Sequence, residues 1–122
     1  MARVMIVDDS PTDKAFVRQI LERAGHEVLE ADNGKEAIEL VRLSRPDCVV
    51  MDVVMPGVNG FQATRTLSRD PATMAIPIVV LSSKNQETDR VWALRQGAKE
   101  YLVKPVKGPE LVEKIQDVLR RS

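Results

Sequence analysis

Five short apolar runs, separated by longer amphipathic stretches, constrain this chain more than any other feature. They are RVMIV (Arg3–Val7), EVLEA (Glu27–Ala31), CVVM (Cys48–Met51), IPIVVL (76–81) and YLV (101–103). The first, third and fourth are nearly continuous, as are strands buried on both faces of a parallel sheet. EVLEA alternates, which places it at an edge. The intervening stretches have helical periodicity. Phe16, Ile20 and Ala24 fall on one face with Val17 and Leu21 beside them, Ala37 and Val41 repeat the spacing, and Leu111, Ile115, Val118 and Leu119 form a stripe. Val91 and Leu94 read as core positions of a fourth helix, which turns Trp92 towards its flank. Ser10-Pro11 offers an N-cap and a first-turn proline, with Asp13 favouring the same helix N-terminus. Gly25 and Gly97 fit helix ends, while Asn33-Gly34 and 56–60 read as turns. Strict alternation of strand and helix implies an α/β, doubly wound fold with helices on both faces of a parallel sheet. With 122 residues, the chain is read as a single domain over 1–122, ending with its fifth helix and without an output domain.

Composition narrows the function classes. Eighteen basic residues balance eighteen acidic ones, so no global field favours nucleic acid or an anionic membrane. The single cysteine, Cys48, excludes an internal disulfide framework and reads as an inert core thiol. No segment approaches the roughly 20 apolar residues of a bilayer span. The N-terminal MARVMIVDDSP has acids where a signal peptide needs small residues. The expectation is a cytoplasmic protein without membrane insertion. His26, the one histidine, reads as a solvated turn residue, which leaves a zinc site without its usual ligands.

In doubly wound sheets, ligands bind beyond the carboxyl ends of the strands, so the residues at those ends matter most. Strand one ends in Asp8-Asp9, strand three in Asp52, strand four in Ser82-Ser83 and strand five in Lys104-Pro105. Each has an ordinary structural reading: a helix-favouring acid pair, a solvated strand end, a serine cap, a surface lysine. Together they bring three acids, a hydroxyl and an ammonium to one rim. Carboxylates about 4–5 Å apart repel by roughly 3–4 kcal/mol at an effective dielectric near 20. Such a cluster protonates or recruits cations. Lys104 supplies one positive charge, and an all-oxygen, partly wet site suits Mg²⁺ for the rest. Mg²⁺ beside a carboxylate, a lysine and a hydroxyl is equipment for phosphoryl transfer, with the carboxylate itself as nucleophile.

VDDS, MDVVMPGVNG, VLSS and YLVKP, in this order and spacing, resemble the motifs of the receiver domain of bacterial two-component response regulators. The likeness covers essentially the whole chain. It implies a (βα)₅ flavodoxin-like fold with a five-stranded sheet in the order 2-1-3-4-5. It also implies a signalling protein rather than an enzyme, phosphorylated on Asp52 by a histidine kinase. Asp9, Asp52 and the backbone carbonyl of Val54 would bind Mg²⁺, with Asp8 holding it through water. Lys104 would contact a phosphoryl oxygen, Ser82 would be the switch hydroxyl, Tyr101 the aromatic switch, and Lys104-Pro105 a cis peptide. Val54 and Lys84 stand at positions that flank the phosphoryl group and vary in the family.

GFQATR and QETDRVWALRQGAKEYL are similar to the single-domain regulators of type IV pilus twitching motility, which implies a chemosensory-type kinase as donor and pilus motor machinery downstream. Output would pass to a protein partner, with Trp92 and Tyr101 as candidate interface residues and a monomer or weak dimer as the working form. Other readings are a phosphate sink for a shared kinase, a phosphorylation-independent binding module, a phosphohydrolase with an Asp nucleophile, and a nucleotide or flavin binder. Dehalogenase-type phosphohydrolases need a second Asp where Val54 stands. Nucleotide binders need a glycine-rich loop where DDSPTD stands.

Overall fold

The computed structural model describes residues 1–121. β1 (Arg3–Val7), β2 (Glu27–Ala31), β3 (Cys48–Met51), β4 (Ile78–Ser82) and β5 (Glu100–Val103) alternate with α1 (Pro11–Arg23), α2 (Gly34–Ser44), α3 (Gly60–Arg69), α4 (Glu87–Gln96) and α5 (Gly108–Arg121). The strands form one parallel sheet in the order β2-β1-β3-β4-β5. EVLEA is the edge strand its alternation implied. Strand order reverses at β1, so the carboxyl ends of β1 and β3 flank the topological switch point.

Residues along each central strand alternate between two apolar layers. Val4, Ile6, Val50, Val79 and Leu81 pack with Val17 and Leu21 of α1 and with Leu111, Ile115 and Val118 of α5. Met5, Val7, Val49, Met51 and Val80 pack with Ala37 and Val41 of α2, Ala63 and Leu67 of α3, and Ala93 of α4. The nearly continuous strands are those buried on both sides. Cys48 is fully buried, and loss of hydration pushes its thiol up to about 12. No described helix is long and apolar enough to cross a membrane.

Helix termini follow local chemistry. Ser10 Oγ accepts from the Asp13 N–H at 3.2 Å, and Pro11 opens α1. Gly97 ends α4 at φ 115°, a conformation that favours glycine. Asn33-Gly34 is not a free turn: Asn33 Oδ1 accepts from the Glu36 N–H at 2.9 Å and caps α2. The 56–60 segment is a bend that runs into α3, with Asn59 and Gln62 forming a reciprocal capping box.

Several expectations need correction. The fourth strand begins at Ile78, not Ile76. Pro77 has no N–H to donate, although its carbonyl still accepts from Val49 at 3.0 Å. Ser82 is the last residue of that strand and pairs with Val103. Phe16 is 50% exposed, because the buried side of α1 is the Val17–Leu21 line. In α4 only Ala93 is buried; Val91 is 37% exposed and Leu94 only partly covered, since this helix lies towards the β5 edge of the sheet. His26 is partly buried rather than solvated. Its Nδ1 accepts from the Ala2 N–H at 3.2 Å, and burial lowers its pKa.

α3 approaches the end of β3 so closely that only glycine fits at its start. A Cβ on Gly60 would lie 1.9 Å from the Asp52 carbonyl oxygen and 2.8 Å from Val53 Cα, both immobile backbone. Gly60→Ala is therefore expected to cost about 2–3 kcal/mol or more in urea unfolding. Gly108→Ala, whose Cβ would meet Ile20 only at 3.8 Å, should stay within about 0.5 kcal/mol of wild type.

Candidate functional site

The rim at the carboxyl ends of β1, β3, β4 and β5 gathers the polar residues of four motifs. Asp8 follows β1 and is 4% exposed; Asp52 follows β3 and is 8% exposed. Their backbones are tied to neighbouring strands: the Asp8 N–H donates to Ala31 O at 3.2 Å and the Asp52 N–H to Val7 O at 2.9 Å. The carboxylates are thus placed by the sheet ladder itself. Asp9 is exposed beside them. One carboxylate oxygen from each of Asp8, Asp9 and Asp52 lies within 4.8 Å of the others. Val54 sits on the loop beyond Asp52 with its side chain 61% exposed.

Lys104, just past β5, reaches back into this cluster. Its Nζ lies 2.8 Å from Asp8 Oδ2, 2.8 Å from Asp13 Oδ2 and 3.6 Å from Asp52 Oδ2. The remaining carboxylate oxygens have backbone donors: Asp8 Oδ1 accepts from Ser10 N–H at 2.9 Å, and Asp52 Oδ1 from Val53 N–H at 2.8 Å. Burial alone would depress the Lys104 ammonium. The hydrogen bonds to Asp13 and Asp8 and the charges of Asp52 and Asp8 outweigh it, so its pKa is raised. Asp52 moves the other way from an ordinary carboxylate. Burial and the charge of Asp8 push it up to about 6, against the pull of Lys104 and the Val53 N–H. One ammonium does not neutralise this pocket.

The donor set fits Mg²⁺. Three hard carboxylates lie close together, one exposed and two nearly buried, and soft or imidazole ligands are absent from the cluster. Asp8, Asp9 and Asp52 share this space with the Lys104 ammonium, so a cation would meet net negative charge there.

Ser82 is fully buried at the end of β4. Its Oγ accepts from the Lys84 N–H at 3.2 Å, and its carbonyl accepts from the Lys104 N–H at 2.9 Å. The Tyr101 hydroxyl donates to Lys84 O at 2.7 Å. Burial raises the Tyr101 phenol; the Ser82 hydroxyl lowers it, and Asp89 and Asp52 raise it further. Ser82, Lys84, Tyr101 and Lys104 therefore form one connected unit. The Lys104-Pro105 bond is cis, as the family resemblance implied. Trp92 stands apart from the rim on α4, 48% exposed.

Two contacts escape a linear reading. Asp13 was legible only as a helix-favouring acid, yet it binds Lys104 as closely as Asp8 does. The available signal was its place in the first turn of a helix that starts on the same rim. Lys14 is 8% exposed and ion-paired with Asp32; nothing in its surroundings along the chain singles it out.

The elevated Asp52 carboxyl has a definite linkage sign. Its folded pKa of about 6 exceeds the ordinary 3.8, so the folded state binds this proton more tightly than the unfolded state does. The stability contribution is greatest below about pH 4 and is lost as pH rises through about 6. In metal-free buffer Asp52→Asn is expected to be more stable than wild type at pH 7 by about 1–3 kcal/mol. That gap should close towards pH 4 in urea unfolding series.

Comparison with known proteins concerns the fold and the family. The family model of the response regulator receiver domain matches residues 4–116. Protein PilH of Pseudomonas aeruginosa is 53% identical over 119 residues, covering 98% of each chain. The phosphate regulon transcriptional regulatory protein PhoB of that organism is 37% identical over 98% of this chain, which spans 52% of that longer regulator. Among solved structures, the Vibrio cholerae chemotaxis protein CheY4 superposes with a TM-score of 0.90 at 31% identity, over 97% of this chain and 98% of that one.

Proposed function

Because the chain belongs to the response-regulator receiver family, we propose that it accepts a phosphoryl group on Asp52 from a histidine kinase and signals by a conformational switch to a protein partner. One observation carries this reading. Three carboxylates share a space of 4.8 Å, and the Lys104 ammonium stands 3.6 Å from the Asp52 oxygen.

An Asp52 oxygen forms a bond to phosphorus as the phosphorus–nitrogen bond to the donor imidazole breaks, and the electron pair leaves with the imidazole. A carboxyl that titrates near 6 is ionised at neutral pH yet more basic than a solvated aspartate, which suits a nucleophile. Asp9, Asp52 and the Val54 carbonyl would hold Mg²⁺, with Asp8 acting through water. When bound, Mg²⁺ supplies charge neutralisation for the transferring oxygens. Lys104 contributes a second cationic contact. The domain itself acts as a phosphoacceptor rather than as an enzyme on a separate substrate.

The switch follows from the Ser82–Lys84–Tyr101 unit. A phosphoryl oxygen would accept from the Ser82 hydroxyl and draw it away from the Lys84 N–H, which now donates to its oxygen. Lys84 also carries the carbonyl that holds the Tyr101 hydroxyl. Movement at Ser82 therefore reaches the α4–β5 surface through two hydrogen bonds. Turning a 1:99 population into 99:1 takes about 5.5 kcal/mol of preferential binding, within reach of a few charge-assisted hydrogen bonds.

Val91 and Trp92 of α4 and Val103 of β5 are 37%, 48% and 40% exposed. Trp92 is the candidate anchor for the downstream partner. The twitching-type motifs of the chain and its identity with PilH support a type IV pilus setting, with pilus motor machinery as the target.

Incubation with acetyl phosphate should add the mass of one phosphoryl group in the presence of Mg²⁺ but not with chelator. Asp52→Asn should gain none; equal labelling of both proteins would overturn the acceptor assignment. Trp92→Ala should take up phosphoryl at the wild-type rate and bind the partner at least tenfold more weakly, a loss of about 1.4 kcal/mol or more. Equal partner affinity would remove Trp92 from the interface.

A further inference from the structure

Lys104 is shared three ways, and one of its partners has no part in the acceptor site as described. Asp13 Oδ2 lies 2.8 Å from Lys104 Nζ, as close as Asp8 and closer than Asp52 at 3.6 Å. Asp13 is fixed independently of the lysine. Its backbone N–H donates to Ser10 Oγ, and it stands in the first turn of α1. Its side chain is 45% exposed, whereas that of Asp8 is 5% exposed. Asp13 is therefore far less desolvated than Asp8. At its other end Lys104 is anchored by its backbone N–H on Ser82 O at 2.9 Å. Between two fixed ends, the flexible stem lets the ammonium settle where the anions draw it, between Asp8 and Asp13.

We propose that Asp13 is a positioning residue: it holds the Lys104 ammonium on the α1 side of the pocket, away from Asp52, and thereby weakens the pocket's hold on a phosphoryl group. The inference rests on the reading of Asp52 as acceptor. A phosphoryl group on Asp52 needs the ammonium that Asp13 retains, and Asp13 adds a negative charge of its own near the incoming anion. A divalent cation experiences the opposite effect, since Asp13 deepens the negative potential that attracts it. Removal of the Asp13 charge must therefore move anion and cation binding in opposite directions. Loss of a merely structural contact would not.

The test uses Asp13→Asn and Asp13→Glu in the full chain, with two calorimetric titrations. In the first, beryllofluoride is titrated at saturating Mg²⁺; it forms a beryllium–oxygen bond to Asp52 as one water leaves the beryllium, and so stands in for a phosphoryl group. In the second, Mg²⁺ alone is titrated into the unmodified protein. Asp13→Asn should bind beryllofluoride about five- to tenfold more tightly and Mg²⁺ about two- to fivefold more weakly. Asp13→Glu, which restores the charge, should stay within about twofold of wild type on both. Equal beryllofluoride affinity in wild type and Asp13→Asn overturns the inference, as do changes of both ligands in one direction. A glutamate variant indistinguishable from the asparagine one also overturns it. If wild type binds no beryllofluoride, the acceptor reading of Asp52 falls together with this one.

Discussion

A single ammonium group bridges carboxylates from widely separated parts of the chain: Lys104 Nζ binds Asp8 and Asp13 at 2.8 Å and faces Asp52 at 3.6 Å. Two of these acids are nearly buried. Unpaired charges at such depth would neutralise themselves or leave the site. The lysine makes the cluster tolerable without satisfying it, and burial together with the charge of Asp8 pushes the Asp52 carboxyl up to about 6. The site thus offers negative charge to a cation, and its Asp52 carboxyl is more basic than a solvated one.

The sheet makes this crowding achievable. β1 and β3 are adjacent and parallel, so their last residues deliver Asp8 and Asp52 to the same edge, where ladder hydrogen bonds hold both backbones. The apolar layers on both faces exclude any other exit for these side chains. Gly60 lets α3 press against the Asp52 carbonyl, which fixes the loop after β3 from the far side. Packing, rather than the polar residues themselves, sets the spacing on which the electrostatics depend.

Rigidity is unevenly distributed. α1 and α5 bury continuous stripes, while α4 commits only Ala93 to the core. Helices with few buried side chains reposition most cheaply. The hydrogen bonds from Ser82 through Lys84 to Tyr101 lead towards this helix. These hydrogen bonds connect the rigid rim to the least anchored part of the fold, where Trp92 is exposed.

Much of this was legible in the residue pattern, because two-sided burial writes itself as unbroken valine-rich runs and amphipathic helices as a 3.6-residue stripe. Strand positions, the edge placement of EVLEA, and the polar residues at each strand end followed from those periodicities, since an apolar run that stops on an acid marks the point where the chain leaves the core. The motif resemblance added the strand order, which the sheet has, and the roles proposed for Asp8, Asp9, Asp52, Ser82, Tyr101, Lys104 and Val54. Periodicity could not say which side of α1 faces the sheet, so Phe16 was misplaced. Nor could it show that α4 lies too near the sheet edge to bury Val91 and Leu94. It gave no sign that His26 is covered. Distances across the rim belong to tertiary structure alone. That Asp13 competes for Lys104, ninety-one positions further along the chain, is decided by how α1 and β5 meet over the sheet. Local sequence specifies which chemical groups reach the rim, but only packing of distant elements determines which of them share a proton, a cation or a hydrogen bond.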